Sequence, residues 1–179
     1  MFAQPNFGGS FVKLLPMFVL GLFFSINSFA QSAVPVCMAA GQVLPVNNEL
    51  VLQWKTTTQD QFHSRGHVLG HLLQAFPDHS GHHHLEVQIG AGPTDTIEVI
   101  YNEGFGTVPA MKAGDVVEAC GDYITAKTQA GPYPPSPDGA ILHWVHMAPS
   151  GSHESGFFVV NGVVCGQDVG NALPKNRRN

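Results

Sequence analysis

Basic residues are scarce in this chain. Lysine and arginine number 8 against 13 aspartates and glutamates, for a formal net charge of −5. A general polyanion binder needs a basic face to neutralise phosphates, so nucleic acid is not the expected partner. The one basic run, Lys175-Asn176-Arg177-Arg178, follows Leu173-Pro174 and reads as a solvated end. Cysteine is also sparse. Cys37, Cys120 and Cys165 stand too far apart for a paired metal-ligand motif. There is no glycine-rich phosphate loop and no His-Glu-x-x-His helix. Ser80, Ser150, Ser152 and Ser155 lie in turns, none in a nucleophile elbow. No motif fixes a reaction, and the sequence assigns neither a catalytic step nor a substrate.

Long hydrophobic runs are missing too, except near the start. Lys13 precedes an apolar run from Leu14 to Phe24, and Ser28-Phe29-Ala30 supplies the small residues that a signal peptidase reads. This pattern predicts a secretory signal over residues 1–30, cleaved after Ala30. The run is shorter than the ~20 residues needed to span a bilayer, and Ser25 and Asn27 interrupt its end. The mature chain is expected in the periplasm or outside the cell, without a transmembrane segment. An oxidising compartment permits a disulfide. The expected pair is Cys37 with Cys165, which flank the predicted domain. Cys120 ends the strand-like run from Val116 and reads as a small buried hydrophobe.

What the chain does have is alternation. His82 to Ile89 alternates cleanly, with His82, His84, Glu86 and Gln88 on one face and His83, Leu85, Val87 and Ile89 on the core face. Further strands are predicted at Gly66–Leu73, Thr96–Tyr101, Val116–Thr125 and Ala140–His146, with a closing hairpin around Asn161-Gly162. Pro77 to Gly81 and Gly131 to Gly139 read as turn and loop. Asn47 to Trp54 fits either a short strand or a helical turn. The expected architecture is all-β: a small five-stranded barrel of the oligonucleotide/oligosaccharide-binding (OB) type, with a β-sandwich as the alternative. It occupies residues 63–168, between an N-terminal extension (31–62) and a flexible C-terminal tail (169–179).

Histidine is abundant, with 10 residues. Imidazole binds transition metals and moves protons near neutral pH. His82 and His84 lie two apart on one strand face, as a metal pair does, and His143, His146 and His153 are the candidates to complete the set. Glu154 stands beside His153 as a further candidate. On a continued strand His143 and His146 point to opposite faces, and they converge only if the chain turns after Trp144. The competing reading makes His82-His83-His84 a solvated tip and Trp144 a core ring. His63, His67 and His71 are read as strand residues, mostly at the surface.

These pieces in order resemble an uncharacterised bacterial family of small exported proteins marked by a His-Trp-Thr-His motif (domain of unknown function 3465). The matching residues are Pro77-Asp78 with Gly81 and His82; Asn102; Ala113-Gly114-Asp115-Val116-Val117 with Gly121-Asp122-Tyr123; His143-Trp144-Val145-His146 with Pro149; and His153 with Gly156. Val145 stands where the family has threonine, Tyr101 where a histidine usually precedes Asn102, and Phe157 where it has tryptophan. Met147 and Ala148 replace a His-Asp-like pair, and Thr128 to Asp138 resembles an insertion. The resemblance implies export and a small β domain. It singles out His82, Asn102, His143, Trp144, His146 and His153 as one set, and it brings no activity.

The leading expectation is a binding or structural module with a His-rich site, its ligand face including Asn102 and Trp144. The alternatives are a metal-dependent hydrolase, with Asp78 or Glu154 as base, and a metal-binding protein. The implied cofactor, if any, is a divalent transition metal.

Overall fold

The computed structural model describes Met1, residues 33–151 and residues 153–168. Apart from Met1, the signal expected over residues 1–30 lies outside the described residues, as does the tail expected over 169–179. The chain is mostly β. Its elements are β1 (Met38–Ala39), β2 (Gln42–Val43), α1 (Asn48–Thr57), β3 (His63–His79), β4 (His82–Gln88), β5 (Thr96–Asn102), a 3-10 turn (Glu103–Phe105), β6 (Val116–Thr125), β7 (Ala140–His143), β8 (Phe157–Val160) and β9 (Val163–Cys165). Strands β1 and β2 form a small ribbon. The other seven share one sheet in the order β3-β4-β5-β7-β6-β8-β9, and β3 also pairs with β6. All pairings are antiparallel except β5 with β7. No helix among the described residues is long and apolar enough to cross a membrane.

The alternation read from the sequence decides the core. Leu85 and Val87 of β4, Ile97, Val99 and Tyr101 of β5, and Val117, Ala119 and Tyr123 of β6 are fully buried on one side. Strand β3 is longer than the expected Gly66–Leu73 because it serves two neighbours. Its first half pairs with β6, from His63 opposite Ile124 to His71 opposite Val116. Its second half pairs with β4, with register shifts at Leu72/Gln74 and Phe76/His79. The close approach this needs falls at Gly70, where a Cβ would lie 2.0 Å from the Gln88 carbonyl oxygen. Pro77 and Asp78, expected in the turn, therefore stay within β3. The turn itself is Ser80-Gly81, both in the left-handed region as a tight hairpin requires.

Residues 33–62 are more than an extension. The segment left open between strand and helical turn is α1. Its Val51 is buried in the main core, with Leu52 and Trp54 packed against it. Asn48 Nδ2 donates to the carbonyls of Leu69 and Ile89, at 2.7 and 2.9 Å, fixing the helix to two strands.

The disulfide corrects the sequence expectation. Cys37 is bonded to Cys120, with a Cα–Cα distance of 5.6 Å, and Cys165 is a buried free thiol. The reason is sidedness. Ala119 and Tyr123 face the main core, so alternation turns Cys120 to the opposite side of β6. There Cys37, Phe157 and Val159 form a second apolar cluster. Cys165, opposite Phe158, belongs to the main core instead.

In denaturant without reductant, alkylation should label one thiol per chain, and none in Cys165→Ser. Reduction should cost about 2–4 kcal/mol of stability. Labelling of Cys120 before reduction would overturn the pairing.

Candidate functional site

Strand β7 stops at His143, three residues before the expected end, because Trp144 takes a positive φ of 51°. The turn on which convergence of His143 and His146 depended is therefore present. Two glycines let the chain pass there. A Cβ on Gly121 would lie 2.3 Å from the His143 carbonyl oxygen, and one on Gly156 would lie 2.4 Å from that of Trp144. Backbone bonds then pin the segment. Gly156 N donates to the His146 carbonyl and Met147 N to that of Gly166, both at 2.7 Å.

The result is a continuous run of six rings. Phe105 stacks on His146 at 3.5 Å between centroids, and His146 meets His153 edge-on at 5.3 Å. His153 stacks on Trp144 at 5.6 Å, Trp144 on His143 at 4.7 Å, and His143 meets His82 at 6.1 Å. The structure thus brings together His82, His143, Trp144, His146 and His153. It does not bring His84, whose Nδ1 meets Glu98 Oε1 at 2.6 Å. Asn102 lies across the ladder from His82, but its side-chain oxygen accepts from Gly104 N at 2.8 Å and caps the 3-10 turn. Phe105, carried by that turn, was not legible as a site residue. Nothing in the sequence distinguishes it from the other phenylalanines.

The ring nitrogens have defined roles. Nδ1 of His82, His146 and His153 faces the carbonyl oxygen of Ser80, Met147 and Glu154, at 3.1, 2.8 and 2.9 Å. A carbonyl only accepts, so each Nδ1 donates its proton. In the neutral ring this leaves the lone pair on Nε2. Burial pushes the His143 imidazole down to about 4, and the nearby His82 and His146 push the same way; Asp122 opposes them. Burial also lowers His146, against the effect of its bond to the Met147 carbonyl. These two rings are neutral at physiological pH.

A second constellation lies one residue along β4. Among the described residues, the group whose potential metal-ligand atoms all lie within 4.8 Å of one another is Asp78, His83 and Glu103. The four clustered imidazoles do not meet that spacing. The sequence places His83 on the core face, and its ring does lie parallel to that of buried Tyr101, at 6.4 Å and 11°. Its nitrogens nevertheless reach Asp78 Oδ1 at 3.0 Å and Glu103 Oε1 at 2.9 Å. His67, read as a surface residue, is buried between the Leu44 carbonyl and Glu118. His63 and His71 are exposed.

The His143 shift sets a pH dependence. Its folded pKa lies below the ordinary 6.5, so the unfolded chain takes up the proton first. Stability from this ring is present above about pH 6.5 and is lost progressively as pH falls towards about 4. The ceiling is roughly 3 kcal/mol. Melts from pH 7 to 4 should show this loss, and His143→Gln should flatten it, while His79→Ala at the exposed end of β3 leaves it intact. The same slope in His143→Gln as in the unaltered protein would exclude a buried neutral ring.

Comparison with family models, curated proteins and solved structures gives no match to this chain.

Proposed function

We propose that the protein is an exported binding module, built on a five-stranded OB-type barrel, that takes up a late transition-metal ion at the imidazole cluster. The observation that carries the metal reading is the cluster's nitrogen chemistry. Three rings have Nδ1 committed to backbone carbonyls, which orients Nε2 as the free donor, and burial keeps His143 and His146 unprotonated. A metal-binding histidine is commonly oriented by such a bond from its other nitrogen. A nitrogen-only set without thiolate suits copper(II), nickel or zinc. Closing on one ion takes movement of the turns that carry His82 and His153, whose Nδ1 bonds to the Ser80 and Glu154 carbonyls are local and move with them.

The barrel reading is supported by the circuit of ladders, β3 to β4, β5, β7, β6 and back to β3, with the single parallel pairing between β5 and β7. Export is supported by the apolar run after Lys13 and by the Cys37–Cys120 disulfide, a bond favoured outside the cytosol. The resemblance to the His-Trp-Thr-His family points the same way. The hydrolase alternative draws less support. Of the two candidate bases, Asp78 is engaged by His83, and Glu154 Oε1 accepts from Gly41 N at 3.3 Å.

The test is calorimetric titration of tag-free mature protein, purified without a nickel column, with copper(II) and zinc. One ion per chain is expected, with affinity weakened about tenfold or more in His82→Ala and His146→Ala. No uptake, or uptake that both variants leave unchanged, would leave the rings as a packing device.

A further inference from the structure

We infer a second cation site, separate from the imidazole cluster, at Asp78, His83 and Glu103. It takes a divalent ion of the manganese–zinc class. Three separate chain segments build it: the end of β3, the core-facing side of β4 and the 3-10 turn. Two of them are fixed independently of the site. The His83 ring is set parallel to buried Tyr101, whose hydroxyl donates to the Gly106 carbonyl at 2.8 Å. Glu103 N donates to the Gly81 carbonyl at 3.0 Å, which ties the 3-10 turn to the tip of the β3–β4 hairpin.

The distinguishing feature is that both nitrogens of one imidazole face carboxylates. A neutral ring carries one N–H. With the proton on Nδ1 and donated to Asp78, Nε2 presents a lone pair to Glu103 Oε1 only 2.9 Å away. Two lone pairs at that separation repel, and a positive charge shared by both relieves the repulsion. A metal ion fits this geometry. Ligand atoms ~2.0–2.2 Å from an ion lie roughly 3 Å apart when they subtend a right angle at it. Asp78 is then the residue that orients the ligand through its far nitrogen, as in carboxylate–histidine–metal arrangements. His83 Nε2 and Glu103 are the direct ligands. Their mixed nitrogen and oxygen character selects manganese(II), iron(II) or zinc over calcium. The Glu103 side chain is 51% exposed against 18% for His83, so the remaining coordination positions open to water.

Occupancy has a structural consequence. Glu103 and Phe105 share the 3-10 turn, and Phe105 stacks on His146. An ion held by Glu103 therefore steadies the wall of the first site without entering it.

Manganese(II) separates the two sites, because it binds weakly to nitrogen-only sets and accepts carboxylate. The experiment follows loss of the free manganese(II) signal by electron paramagnetic resonance. The unaltered mature protein is compared with His83→Gln, Glu103→Gln, Asp78→Asn and His82→Ala, with circular dichroism melts confirming that each is folded. One ion per unaltered chain is expected. Affinity should fall about tenfold or more in His83→Gln and Glu103→Gln, less in Asp78→Asn, and should be unchanged in His82→Ala. Glu103→Gln keeps an exposed side chain of the same size, so it reads out the site even if His83→Gln is unstable. No uptake by the unaltered protein would leave a proton as the shared charge and overturn the inference. Uptake insensitive to Glu103→Gln, or lost in His82→Ala, would do the same. Copper(II) binding at the imidazole cluster is read by its own titration with His82→Ala and His146→Ala, so the two proposals fail separately.

Discussion

A single guanidinium holds the pieces of this structure in register. Arg65 Nη1 pairs with Asp122 Oδ1 at 2.6 Å, and Nη2 reaches Cys120 Sγ at 3.3 Å and the Ser155 carbonyl at 2.5 Å. Nε donates to the Met38 carbonyl at 3.1 Å. One planar fork thus joins the N-terminal ribbon, the disulfide, β6 and the turn that carries His153. Arginine suits the place because its donors are fixed in a plane and always charged. The side chain is 9% exposed, so removing either charge would strand the other in a poorly solvated setting. Asp122 stands directly across from His143. The geometry of the ring cluster therefore depends on a salt bridge that contributes no ring to it.

The strands were legible because a sheet with one buried face writes itself as alternation. His82 to Gln88, Thr96 to Tyr101 and Val116 to Thr125 form where the pattern places them. What stayed hidden was set by partners far away in the chain. The outer halves of β3 carry no clean period, because each half answers to a different neighbour and bulges separate them. Helix α1 was ambiguous because Val51 alone of its residues is buried, and ten residues hold too few turns to show a stripe. The disulfide was misassigned because ends that flank a domain in sequence need not meet. The faces of β6 decide which thiol meets Cys37, and alternation from Ala119 contains that information once β6 is known to have two covered sides.

The site was legible as a list and not as a geometry. His82, His143, Trp144, His146 and His153 do gather, but the gathering rests on a positive φ at Trp144, a residue for which that backbone state is rare. It also rests on Gly121 and Gly156, whose need is apparent only when the neighbouring carbonyls are in place. His84 shares a strand face with His82 and is still diverted, because the buried carboxylate of Glu98 lies within reach across the ladder. His83 shows the converse: strand alternation put its ring against the core, while the hairpin tip and the 3-10 turn brought two carboxylates to its edge.

The histidines divide by partner, and the division decides what each can do. His67, His83 and His84 face carboxylates. His82, His146 and His153 face backbone carbonyls, and His143 lies between aromatic rings; none of the four has an ion-pair partner among the described residues. Asp122, across the ladder from His143, is already matched by Arg65. A dipositive ion at the cluster would therefore meet neutral donors and no compensating charge from the protein. Under the proposed reading the ion brings or attracts its own anion. A permanent structural site, by contrast, sets thiolates or carboxylates against the ion to bury its charge.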